Sequence, residues 1–289
     1  MLTLRSGSTT LGVDEKVGGK MTSLVAAGEE RILQRPDDAD PAVEVLLWGC
    51  FFMVPWVGRL DGGKLPWEGE VHQFPRNFGG HAIHGLGFDK PWTVDASDDR
   101  SATLSLDLRS VGWPFGGTAR HALSLAADGA SLSLVAEVEA AERSMPVSAG
   151  WHPYFRRPDV GDLAIEVTSA NVLATRDDLI PTGELEPVAG DTDLRDRPIL
   201  GDRRLDHVYA NVEPPNFVQW PDLVMTQDFS KEIATVVVYT PEGAACCEPQ
   251  SAWPDAPSLE ARGVNGTGVA HVAAGETFRT ETTWSWQPV

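Results

Sequence analysis

Cysteine is scarce in this chain of 289 residues: there are three, Cys50 and the adjacent Cys246 and Cys247. An odd number with two direct neighbours makes a poor disulfide framework, so the thiols read as reduced and the compartment as cytoplasmic. Positive charge is short as well. Lys and Arg total 23 against 42 Asp and Glu, a net charge of -19. Such a field repels the phosphate backbone that supplies most sequence-independent affinity for nucleic acid, so no nucleic-acid partner is expected and neutral small molecules suit the chain better than anionic ones. No run of about 18 apolar residues occurs, so no membrane-spanning helix is expected. Met1 to Thr10 holds Arg5 as its one positive charge and no apolar stretch suited to a signal peptide. Internal repeats, low-complexity segments and linkers are missing too. The expectation is a single domain over residues 1–289, with the oligomeric state left open.

Helical periodicity is nearly absent, and what replaces it is alternation. Leu104, Leu106 and Leu108 alternate with polar residues, as a half-buried strand does. Leu123 and Leu125, a turn at Asp128-Gly129, and Leu132, Leu134 and Val138 read as an antiparallel hairpin. Leu163 to Val167, Thr235 to Tyr239 and Phe278 to Trp286 are further strand candidates. The 28 glycines and 21 prolines supply turn signals along the whole length, which points to an all-β fold, a large antiparallel sandwich. Asp177 to Asp206, rich in Asp, Arg, Gly and Pro, reads as one long loop.

Five clusters gather ionisable or aromatic groups beside Gly and Pro. Gly58-Arg59 follows an apolar run, and the arginine reads either as a surface charge or as a fork of donors for neighbouring hydroxyls. His81-Ala-Ile-His84-Gly85 places two histidines three apart, but no Cys or Glu lies close enough to suggest a metal site. His84 reads as a capped turn residue or as a partner for a ligand oxygen. In Gly150-Trp151-His152-Pro153-Tyr154-Phe155 the proline restricts the chain at His152, whose imidazole titrates near neutral pH and suits proton transfer; the alternative is an aromatic core turn. Leu205-Asp206-His207 offers an acid at the end of the presumed loop. Cys246-Cys247-Glu248-Pro249-Gln250 offers a carboxylate leaving an apolar strand, where partial desolvation would raise its basicity.

In this order the clusters, together with Pro181-Thr182-Gly183-Glu184, resemble the aldose 1-epimerase (galactose mutarotase) family over nearly the whole chain. The resemblance implies a β-supersandwich with an open cleft, a small-molecule sugar substrate and no cofactor or metal. It implies His152 as general acid and Glu248 as general base, with Arg59, His84 and Asp206 contacting the sugar. Ring opening removes a proton from the C1 hydroxyl while the ring oxygen gains one, so the two catalytic groups are expected on opposite sides of the sugar. Two departures bear on the rim: Leu60-Asp61-Gly62-Gly63 replaces an Ile-Ala-Asn-type stretch, and Ser251-Ala252-Trp253 replaces Thr-Gly-Pro. Two other readings stand beside this one. A hexose-6-phosphate mutarotase would draw on Arg59 with Lys64, Arg76 or Lys90; a non-catalytic carbohydrate-binding or sensing protein would use the same fold without turnover.

Overall fold

The leucine alternation forms the strand Ser101–Asp107, and the expected hairpin forms from Thr118–Leu125 and Ser131–Glu139, paired with Leu125 opposite Leu132. A computed structural model describes residues 1–35 and 45–289 of the chain. Among the described residues the strands assemble into a sheet of twelve, a sheet of eight and three two-stranded ribbons. Every ladder pairing within them is antiparallel. Thr235–Tyr239 is a strand as expected, while the aromatic C-terminal candidate extends over Thr277–Pro288. The short helix Ala256–Ala261 is the one α-helix among the described residues.

A sandwich core requires the two large sheets to bury apolar faces against each other, and the contacts show this. Phe52 of the larger sheet stacks on His121 of the smaller one at 4.7 Å, and Trp151 Nε1 donates to His121 Nε2 at 2.9 Å. Burial alone holds the His121 imidazole down to about 3, so it stays neutral and accepts from the indole. Gln227 Nε2, from the smaller sheet, donates to the Cys247 carbonyl at 3.3 Å.

The middle of the larger sheet is covered on both faces. In strand Cys50–Met53, Cys50 and Phe52 join the core between the sheets, while Phe51 and Met53 belong to a second apolar cluster with Tyr154 and Cys246. Successive side chains point to opposite faces, so Trp151 turns into the core while its neighbour His152 turns the other way. Cys247 and Glu248 divide in the same manner.

The expected loop from Asp177 to Asp206 is not one loop. Pro181–Pro187 is a strand paired with Asn171–Thr175, and Gly190–Thr192 forms a 3-10 turn. The strand lies at the edge of the larger sheet and is exposed at most of its positions. No buried face was there to impose an apolar alternation, and the prolines sit at its two ends, where edge strands tolerate them.

Candidate active site

Two adjacent strands of the larger sheet supply the central pair. Gly150–Pro153 pairs antiparallel with Ala244–Gln250, with Gly150 opposite Gln250. That register carries His152 and Glu248 into neighbouring positions on one face. His152 Nε2 lies 3.2 Å from Glu248 Oε1, and the side chains are 7% and 2% exposed. The expectation of two groups on opposite sides of a ligand is corrected here: they stand side by side at the base of a cavity.

The imidazole of His152 is held between rings, stacked on Phe51 at 4.6 Å and on Tyr154 at 4.8 Å, with the His84 ring edge-on at 5.1 Å. Gln250 Nε2 donates to Glu248 Oε2 at 3.1 Å, which fixes the carboxyl on its other oxygen. Burial holds His152 down to about 3. Burial, with the Asp206 carboxylate added to it, pushes Glu248 well above the usual carboxylate range; Gln250 and Arg59 oppose that shift. Both directions disfavour charge on the separate groups, so the pair favours one shared proton over two or none. His84 is lowered well below its ordinary value by burial, then by His152 and Arg59.

The cavity above the pair has a volume of about 280 Å³ and is lined by Arg59, His84, His152, Asp206 and Glu248 among others. All five sequence-derived candidates therefore meet at one cavity. Arg59 Nη2 stands 4.0 Å from Asp206 Oδ2, and burial raises Asp206 against the pull of that guanidinium. Local geometry explains how the loops deliver these side chains. Gly85 has φ +81°, and a Cβ there would lie 2.0 Å from the Val54 carbonyl oxygen, so a side chain would push the His84 turn away from the sheet. Gly58, at φ +60°, packs against Pro254 with space for no Cβ. Two buried polar atoms on lining residues, His84 Nδ1 and Gln250 Oε1, have no hydrogen-bond partner among the described residues.

His81 and His84 do not act together. His84 enters the cavity, whereas His81 lies at the rim between Asp61 and Asp178, 3.5 Å from each. Two groups among the described residues bring potential metal ligands within 4.8 Å of one another, His152-Cys246-Glu248 and Asp61-His81-Asp178. In the first, burial pushes the Cys246 thiol well up and away from the thiolate a metal needs. In the second, Arg176 is already paired with both carboxylates. A wider groove of about 620 Å³ beside Trp67, Glu260 and His271 holds none of the motif residues.

Sequence reasoning did not find Phe51, Tyr239 or Leu179 as lining or supporting groups. The first sits in a strand apolar on both faces, and the others on turns and strands whose place at the cavity depends on pairing between distant segments.

The sequence model of the aldose 1-epimerase family matches residues 2–285. A protein of Escherichia coli K12 called uncharacterized protein YphB is 32% identical over 108 residues, covering 37% of this chain and 36% of its own. The galactose mutarotase of Sus scrofa is 28% identical over 170 residues, 55% of this chain and 48% of its own. The matches thus span about a third and about a half of those relatives. A crystal structure of a galactose mutarotase-like protein from Clostridium acetobutylicum aligns with TM-score 0.86 at 16% identity, over 99% of this chain and 95% of that one; this likeness concerns the fold.

Proposed function

Since the chain belongs to the aldose 1-epimerase family, we propose that it interconverts the α and β anomers of a free aldohexose, with His152 and Glu248 moving the two protons. The observation that carries the proposal is their contact at 3.2 Å at the base of a sugar-sized cavity. Family membership supports an isomerase acting on a sugar. The choice of sugar and the residue roles are our reading.

The pair's single proton has two positions, on Glu248 or on His152, and both leave the pair neutral overall. With the sugar bound, the form with His152 protonated and Glu248 ionised is the reactive one. Glu248 takes the proton from the C1 hydroxyl, whose oxygen becomes the aldehyde carbonyl as the bond from C1 to the ring oxygen breaks. His152 gives its proton to the departing ring oxygen. Rotation about the C1–C2 bond presents the other face of the aldehyde. On closure the C5 hydroxyl returns its proton to His152, and protonated Glu248 returns one to the C1 oxygen. Atoms and charge balance without redox or phosphoryl transfer. Each positioned group contributes on the order of 10² to 10⁴ in rate. Arg59, His84 and Asp206 orient the sugar through hydrogen bonds, and Arg59 favours the ionised carboxylate by opposing its upward shift.

A free sugar fits this cavity better than a sugar phosphate. Arg59 is the one Lys or Arg among the described lining residues, and it faces Asp206; Lys64, Arg76 and Lys90 do not line it. Polarimetry on freshly dissolved α-glucose, α-galactose and glucose 6-phosphate tests the proposal. Acceleration of the free sugars supports it. Sugar binding at an uncatalysed rate of anomer exchange would reject the catalytic reading in favour of a binding protein.

A further inference from the structure

We propose that the hairpin tip from Arg176 to Leu179 is a clasp for this cavity, in which Arg176 is a positioning residue and Leu179 determines which sugars fit. The inference rests on the sugar-binding reading of the cavity, and it concerns residues that have no part in the proton transfers.

The first support is an outlier in the backbone. Leu179 has φ +64°, in the left-handed region where a Cβ crowds the chain and where Gly or Asn sits with less strain. Its neighbours at the tip are Arg176, Asp177 and Asp178, so a single apolar residue occupies the position least suited to it. That residue, with Thr175, lines the cavity. Strain retained at such a place is held by its surroundings and points to use.

The second support is how the tip is held. Leu179 N donates to the Arg176 carbonyl at 2.9 Å, and Arg176 N to the Ile180 carbonyl at 3.0 Å. The Arg176 guanidinium grips Asp178 through Nε at 3.0 Å and Nη2 at 2.7 Å, then reaches Asp61 through Nη1 at 2.9 Å. Asp61 is itself anchored, its amide donating to Asp255 Oδ1 at 3.1 Å. His81, 9% exposed, fills the gap between the carboxylates and accepts from the Gly62 amide at 3.1 Å. One guanidinium therefore joins the tip to the loop that follows Arg59 and to the segment that precedes the helix Ala256–Ala261.

Exposed ion pairs add little stability singly, and these are each more than two-fifths exposed. Their effect is geometric: they hold the tip that places Leu179 among the residues lining the cavity. They also engage Arg176 with two carboxylates, so the tip offers the ligand methyl groups and no free cation. The substrate class that fits is a neutral aldose with its C–H surface under Leu179.

Leu179→Asn provides the test, because Asn relieves the strain and removes the methyl groups. The expected result is an unfolding midpoint equal to or above that of the unchanged protein, with KM for the preferred free aldose raised about tenfold and kcat nearly unchanged. Arg176→Gln is expected to raise KM similarly, and Arg176→Lys, which keeps the charge without the fork, to fall between. Calorimetric titration with galactose and with glucose reads binding apart from turnover. Unchanged affinity in Leu179→Asn and Arg176→Gln overturns the clasp, as does a lowered midpoint in Leu179→Asn with KM unaltered. Protein that binds aldose without exchanging anomers removes the catalytic proposal and leaves the clasp standing, and binding of neither sugar removes both.

Discussion

The base of the cavity and its rim are built in opposite ways. At the base, His152 and Glu248 stand on neighbouring strands of a sheet packed on both faces, are almost fully buried, and are fixed by ring stacking and Gln250. At the rim, Arg176 and Asp178 are exposed and Asp61 half-buried, and the grip passes between loops from distant parts of the chain. On the function proposed above, the difference is a division of labour. Proton transfer needs fixed geometry and a medium that keeps charge scarce, which a sheet core supplies; selection needs groups near the entrance, which loops supply.

The largest expected effect breaks the base. Glu248→Gln or His152→Asn lowers kcat for anomer exchange by on the order of 10³ while sugar binding remains measurable by calorimetry. Either variant retaining the full rate would end the assignment. Next is Arg59→Met, which removes the cavity's cation; KM for the free sugar rises on the order of 10 to 100-fold with a smaller change in kcat. If kcat fell and KM did not, Arg59 would belong with the base rather than the rim.

A pH profile sharpens the contrast further. Between the His152 value of about 3 and the raised value of Glu248, the pair holds one proton and the rate stays flat. As pH rises through the Glu248 value, the last proton leaves, the acid is lost, and the rate falls. As pH falls towards about 3, a second proton removes the base. Asp206 lifts Glu248, so Asp206→Asn moves the alkaline limb to lower pH. An alkaline limb left in place by that change would contradict the coupling.

Trp151→Phe probes the core beneath the base: losing the donor to His121 costs about 1 to 3 kcal/mol of stability, read by chemical denaturation, while kcat shifts less than in the dyad variants. The smallest effect belongs to Lys64, Arg76 and Lys90, which lie outside the cavity lining. Alanine at any of them leaves kcat/KM for free and phosphorylated glucose nearly unchanged, and a selective loss on the phosphorylated sugar would revive the phosphate reading.

The two regions also differed in how well they could be read from the amino-acid order. Strands with one buried face, such as Ser101–Asp107 and the hairpin Thr118–Leu125 with Ser131–Glu139, announced themselves through alternation. Pro181–Pro187 did not, because an exposed edge strand has no apolar face to show. The base residues were legible through the resemblance of their motifs, Trp151-His152-Pro153-Tyr154-Phe155 and Glu248-Pro249-Gln250, to those of the family, since neither segment taken singly decided a role. Their contact was not, since it depends on which strands pair and in what register: Gly150 opposite Gln250 puts them side by side where local reasoning set them apart. The rim was hidden for the same reason. Asp61, His81 and Arg176 look like ordinary loop charges until folding brings the loops together, although a turn of Arg-Asp-Asp-Leu without Gly or Asn was a signal of strain that could have been noticed.

Magnetisation exchange between the α and β C1 proton signals of a free aldose at equilibrium measures the central claim directly. With catalytic amounts of the unchanged protein, the account expects exchange well above the uncatalysed rate, abolished by Glu248→Gln in protein that still binds the sugar. Exchange equal to the uncatalysed rate with sugar bound, or full exchange surviving in Glu248→Gln, would contradict it.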